Sequence, residues 1–354
     1  MLKLTELDQL PAGFFELDSP KALYTLMPEP TLVHLHGRRE ARLFVSVLLH
    51  GNEDTSFYAI QQLLYKYQHQ SLPRSLSIFF GNIEAARYGL RRLDDQPDYN
   101  RVWPGCDTYQ DTAEARLMQT VTEIMKNQML FASIDVHNNT GKNPHYGCIN
   151  AMDNRYLQLA RLFSPIVVYF ETPRGVQSMA MAKYCPAITI ECGKPGQAHG
   201  HSVDHVVEFL EAALHLQALP DHPLPPQDIN VYRTMAQVTL PEAYSFGFKQ
   251  TADIHLLPAL DRYNFSELAA GTVFAETTIP DAQLIARDDH NQDVTKDYFV
   301  KVNGQIALRH GMMPAMLTLD ERVIRQDCLC YLMQRIPVDS QAGSGSFAPA
   351  CPQT

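Results

Sequence analysis

The sequence predicts an α/β protein: a mostly parallel or mixed central sheet flanked by helices, with a smaller β-rich domain after it. Three observations carry this. Apolar, strand-like runs alternate with helical stretches from about residue 42 to about 220, the pattern of a sheet covered by helices on both faces. Four prolines then fall within Leu219–Pro226, which makes a stiff linker. Beyond it the segments become short and alternating, with Gly271 and Asn303-Gly304 as turns, as in a β-rich unit.

Residues 1 to about 40 read as a lead-in with a few strands. Leu43–Leu49 is a buried apolar run of strand length, and a helix is expected from about Asp54 to about Tyr67. Leu76–Phe80 is the next strand, and Ala113–Met129 has the apolar spacing of an amphipathic helix. Phe131–Val136 is a strand running into His137. Asn154–Phe163 reads as a helix, Ile166–Phe170 as a strand, Ala187–Ile190 as a strand running into Glu191, and His201–Leu216 as a helix. Past the linker, strands are expected over Val231–Leu240, Ala252–Leu257, Thr272–Glu276, Asp297–Val302 and Val323–Met333. The expected domains are therefore 1–220 and 227–338. A disordered tail is expected over 341–354, where Gly, Ser, Pro and Ala leave little to bury.

Composition narrows the function. Of 354 residues, 45% are hydrophobic, enough for a real core. The formal charge of −10 argues against nucleic acid or an anionic membrane as the main partner. It leaves room for a local positive pocket that takes a small carboxylate-bearing molecule. No apolar run is long enough to span a bilayer, and the acidic start Met1–Asp8 lacks the pattern of a secretory signal. The seven scattered cysteines read as reduced core residues of a cytoplasmic protein. Self-association into a homo-oligomer stays open.

The chemistry concentrates at the ends of strands. His50-Gly51-Asn52-Glu53 closes the first apolar run, and an imidazole and a carboxylate at this spacing can grip one metal ion. Gly51 is expected to permit the sharp turn between them. HxxE alone is weak, but His137 and Glu191 also end strands, and open α/β sheets bind ligands at the carboxyl ends of their strands. His137 is the best third ligand; two histidines and a glutamate form a catalytic zinc set with an open position. Asp135, two residues before His137 and on the same side of the strand, is placed to accept the other ring N–H of a ligand histidine. Glu191 is then the candidate general base. Arg87, Arg91, Arg92 and Arg101, with Asn100, lie in one charge-rich stretch and could supply oxyanion and carboxylate contacts. Asn100-Arg101 precedes Val102-Trp103-Pro104-Gly105, an aromatic and a tight turn suited to holding it in place. A rival cluster, His199, His201 and His205, reads more simply as polar residues on the first turns of a helix.

Taken together, His50-Gly51-Asn52-Glu53, Gly81-Asn82-Ile83-Glu84-Ala85 leading to Arg91, Asp98-Tyr99-Asn100-Arg101, Asp135-Val136-His137 and the strand with Glu191 resemble the succinylglutamate desuccinylase/aspartoacylase branch of the M14 zinc carboxypeptidases over about residues 40–310. The resemblance implies a zinc carboxypeptidase-like fold, with the β-rich domain lying over the catalytic cleft. It implies one Zn²⁺ per chain on His50, Glu53 and His137, with Glu191 as general base. It implies Arg91 at the scissile carbonyl and Asn100 and Arg101 on the substrate carboxylate. Arg92 stands beside Arg91, so either could serve. The loop Asn138–Tyr146 departs from the named enzymes and could shape the substrate pocket, with Asn138 first in line. The family's second-domain tyrosine has no clear counterpart; Tyr298 is the nearest candidate. The implied function is zinc-dependent hydrolysis of the amide bond of an N-acyl amino acid or small carboxylate. The alternatives are a metallocarboxypeptidase acting on peptides or cell-wall fragments, and a non-catalytic carboxylate-binding module.

Overall fold

The structure is a computed structural model that describes residues 2–195, 200–249 and 251–337. It divides into two compact units. The first takes the chain up to Asn138 and from His145 to Asn230; the second takes 139–144 and 231–336. The expected tail, 341–354, lies outside the described residues.

The first unit is built from β1 (Thr5–Leu7), β2 (Thr31–Leu35), β3 (Arg42–Val47), α1 (Thr55–Lys66), β4 (Leu76–Phe80), α2 (Ile83–Tyr88), α3 (Ala113–Lys126), β5 (Leu130–His137), β6 (Tyr146–Ile149), α4 (Asn154–Phe163), β7 (Ile166–Tyr169), α5 (Gln177–Met181), β8 (Ala187–Glu191) and α6 (His201–His215). Its strands lie in the order β1-β2-β4-β3-β5-β8-β6-β7. The central run β4-β3-β5-β8 is parallel throughout, while β2 and β6 are antiparallel to β4 and β8. The fold is therefore the expected mixed sheet with helices. Its central strands are buried along their whole length, as a sheet covered on both faces requires.

One core lies under α3. Leu117, Met118, Val121 and Met125, spaced to share one helix face, pack with Phe44, Phe79, Trp103 and Met181. The Thr112 side chain caps this helix by accepting from Ala115 N. Trp103 is fully buried, edge-on to Phe79 at 6.0 Å between ring centroids. It anchors the Asp98–Arg101 loop, as the sequence suggested. All six described cysteines are free and buried.

Two features at the end of β3 shape the site. The expected strand ran to Leu49, but pairing stops at Val47 because Leu48 adopts a left-handed backbone, φ 55°. That conformation costs roughly 1–2 kcal/mol for a residue with a Cβ. It is held by Asn82 N donating to Leu48 O at 2.7 Å, and it lifts the chain out of the sheet just before His50. Gly51 is needed for a reason other than the one expected. Its φ is not left-handed; instead the α2 backbone presses against it, and a Cβ would lie 2.2 Å from Ala86 N. Gly51→Ala should destabilise the protein by about 1–3 kcal/mol through overpacking, read as a lower melting temperature. A wild-type melt would show that α2 can move aside.

The second unit holds β9 (Asn230–Thr239), β10 (Phe246–Gly247), β11 (Ile254–Leu256), β12 (Val273–Glu276), β13 (Ile285–Arg287), α7 (Thr295–Tyr298), β14 (Phe299–Val302), β15 (Gln305–Leu308), β16 (Met313–Ala315), α8 (Glu321–Gln326) and β17 (Cys330–Ile336). Strands β13, β9, β17 and β16 pair antiparallel, and β10-β11-β12-β15-β14 form a separate five-stranded sheet. Phe274, Leu256, Ile306, Leu329 and Leu332 are among its core residues. Two expectations are corrected here. Val323–Met333 begins as helix α8, because Asp320 accepts from the backbone of Arg322 and Val323 and starts a helical turn. Asp297 and Tyr298 likewise belong to a helical turn, α7, before β14 begins.

Candidate active site

Strand register assembles the site. Ser46 on β3 lies opposite Asp135 on β5, and His137 lies opposite Glu191 on β8. Neighbours in register point to the same face, so Ser46, Asp135, His137 and Glu191 share one side of the sheet near its carboxyl edge. The turn after Leu48 brings in His50 and Glu53. All four of His50, Glu53, His137 and Glu191 are at most 5% exposed.

Glu53 sits between the two histidines. Its Oε1 is 2.8 Å from His50 Nδ1 and its Oε2 is 2.8 Å from His137 Nδ1. Asn138 N donates to Oε2 at 3.0 Å. These three side chains form the one group of potential metal ligands among the described residues, with donor atoms all within 4.8 Å of one another. The far nitrogens are also engaged: His50 Nε2 lies 2.8 Å from Asp98 Oδ1, and His137 Nε2 lies 2.7 Å from Asp135 Oδ2. Each Nε2–H is thereby fixed on an outer carboxylate, and each Nδ1 lone pair faces Glu53. Two lone pairs cannot rest 2.8 Å from a carboxylate without positive charge between them. Either a second proton on each ring or one shared cation meets that need, and the donor set suits a divalent metal.

The electrostatics agree. Burial opposes charging His50, as does Arg91, but Asp98 and Glu53 outweigh both and hold its pKa above the usual imidazole range. Burial likewise opposes charge on His137, yet Asp135 and Glu53 push its pKa well up. Burial works against ionisation of Glu53 and Asp98, but the imidazoles, and Arg91 at Asp98, keep both carboxyls well below their ordinary range. This is a buried pocket of negative charge that demands cations.

The remaining expected residues fall in different places. Arg91 reaches the cluster, with Nη2 3.0 Å from Asp98 Oδ2 and Nη1 3.5 Å from Glu53 Oε1. Arg92 instead turns back on its own loop and donates to Leu93 O and Gln96 O. Arg101 donates to Asn100 O at 2.9 Å, and its charge helps depress Asp98. Asn100 lies behind His137, with Nδ2 3.0 Å from Asp135 Oδ2. Asn138 braces the site: its amide donates to Thr55 Oγ1 and Gly193 O and accepts from Thr55 N. Tyr298 is in the second unit, its ring 5.4 Å from that of His310. The loop after Asn138 is anchored too, since residues 139–144 group with the second unit. There Thr140 bonds Thr318 at 2.7 Å and Asn143 Oδ1 accepts from Met316 N. His201 and His205 do not form a described metal group; His205 Nε2 donates to Phe163 O at 2.6 Å. His199 lies outside the described residues.

Residues 40–217 match the succinylglutamate desuccinylase/aspartoacylase catalytic domain. The chain belongs to this family. The match spans the whole site just described. Similar solved structures include the succinylglutamate desuccinylase of Chromobacterium violaceum, at 16% identity and TM-score 0.57, covering 85% of this chain and 86% of that one. That of Vibrio parahaemolyticus is similar at 13% identity and TM-score 0.58, covering 90% and 95%. Murine aminoacylase 3 is similar at 14% identity and TM-score 0.55, covering 84% and 96%. At these identities the likeness shows the fold. No curated protein matches the sequence. No helix among the described residues is long and apolar enough to cross a membrane.

Asp98 and Ser46 are the residues that sequence reasoning missed. Asp98 stood in a quoted motif, but nothing local shows that it reaches His50, 48 positions away. Ser46 could have been noticed as the polar residue inside Leu43–Leu49.

Proposed function

We propose that this chain is a zinc-dependent hydrolase that cleaves the amide bond of an N-acyl amino acid or a similar small carboxylate. The observation that carries this is the His50–Glu53–His137 group with Glu191 in register beside His137. Zinc held by those three side chains supplies Lewis acidity, polarising the amide carbonyl and making water acidic near neutral pH. Glu191 accepts the water proton and returns it to the departing nitrogen. Arg91, oriented by Asp98, faces the negative charge that develops on the carbonyl oxygen. Arg101 is the guanidinium offered to the substrate carboxylate. Membership of a deacylase family favours acyl amino acids over peptides.

The test is metal analysis of the purified protein with a hydrolysis panel of N-acyl amino acids and C-terminal dipeptides. The expected result is about one zinc per chain and hydrolysis of N-acyl amino acids that a chelator abolishes and zinc restores. Preferential cleavage of dipeptides would move the protein to the carboxypeptidase reading. No hydrolysis across the panel by the zinc-loaded protein would favour a binding module.

A further inference from the structure

We propose that Asn100 and Ser46 clamp the Asp135 carboxylate from both sides and so fix the His137 ring, which makes Asn100 a positioning residue of the ligand set and not a substrate contact. The inference rests on reading His137 as a metal ligand.

Asp135 is fully buried, and each oxygen has its own donor. Ser46 Oγ donates to Oδ1 at 2.6 Å, and Asn100 Nδ2 donates to Oδ2 at 3.0 Å, the oxygen that also takes His137 Nε2 at 2.7 Å. With both oxygens held, the carboxylate cannot rotate, and the ring it holds keeps its Nδ1 turned toward Glu53. Ser46 itself is fully buried between Val45 and Val47. A hydroxyl there is costly without a partner, and its donor goes to Asp135.

Asn100 is more telling. It is 6% exposed. Its Oδ1 accepts from Gln177 N at 2.9 Å, while the Gln177 side chain reaches Ser133 Oγ at 2.7 Å. Its Nδ2 is turned to Asp135 and lies 3.0 Å from His137 Nε2. Its backbone N donates to Asp98 Oδ1 at 2.8 Å, the oxygen that holds His50 Nε2. One residue therefore touches both outer carboxylates, one behind each histidine. To hold a substrate carboxylate, the amide would have to leave a buried anion and accept a second anion beside it.

The test compares wild type, Ser46→Ala, Ser46→Thr and Asn100→Ala by zinc affinity in chelator competition and by KM for a hydrolysed N-acyl amino acid at saturating zinc. Ser46→Ala and Asn100→Ala should each weaken zinc binding about 10-fold or more, the usual effect of removing an outer partner. KM should stay within about 2-fold of wild type, and Ser46→Thr, which keeps the hydroxyl, should restore the affinity. Wild-type zinc affinity with raised KM in Asn100→Ala would make Asn100 a substrate contact and overturn the proposal. So would unchanged affinity in Ser46→Ala, which carries the test alone if Asn100→Ala fails to fold. Wild-type protein that does not bind zinc would overturn the metal reading itself, a different failure from zinc-binding variants that match wild type.

Discussion

Replacing Glu191 by Gln is expected to leave zinc bound and to lower turnover by about 10²–10⁴-fold, the range for losing a general acid–base group. The substitution keeps the shape and hydrogen-bonding capacity of a side chain that is 5% exposed, so the strand end should survive. It removes the one carboxylate in register with His137 that is not in the ligand group. The surroundings make that charge matter. The thiols of Cys148 and Cys192 are pushed well up by burial and then by the Glu191 charge, which places an anion in a poorly solvated setting close to the site. Zinc content and kcat must be measured on the same sample. Wild-type turnover in the variant would remove Glu191 from the mechanism.

Much of this arrangement was legible because it depends on strand ends. A strand is a short apolar run, and whatever follows it lies at the edge of the sheet, so His137 and Glu191 could be assigned to one region without knowing the strand order. The adjacency of β3, β5 and β8 then made the region a single site. The family motifs named the same residues independently. What stayed hidden depends on contacts with no local signature. β6 was missed because Tyr146–Ile149 follows a polar loop and is only four residues long, too short to show a period. Helix α2 was missed although Asn82 caps it by accepting from Ala85 N, because six residues do not establish helical spacing. The role of Gly51 was misjudged for a similar reason: a glycine needed for φ and one needed for a neighbour's backbone look alike in sequence, and here the neighbour, α2, had not been seen. Arg91 and Arg92 could not be separated by composition. The structure separates them through Asp98, which takes one while backbone carbonyls take the other.

Glu53→Gln, the same chemical change at a different carboxylate, should have the opposite signature on zinc. Glu53 is the residue both imidazoles face. In the variant, the amide can still donate to one neutral ring and accept from Asn138 N, so the metal-free fold has a way to persist. The charge that balances a divalent cation is gone, however, and the loss should exceed the 10–100-fold typical of an outer partner. Thermal stability makes this visible. At a zinc concentration about 100 times the wild-type Kd, binding stabilises the folded state by about 2.7 kcal/mol. A Kd weakened about 100-fold leaves RT ln 2, or about 0.4 kcal/mol, at the same concentration. Zinc should therefore raise the melting temperature of wild type and of Glu191→Gln alike and barely move that of Glu53→Gln, while turnover is lost in both variants. A wild-type zinc shift in Glu53→Gln would mean that the carboxylate between the two imidazoles is not a ligand, because no role limited to proton transfer loses turnover together with metal-induced stability.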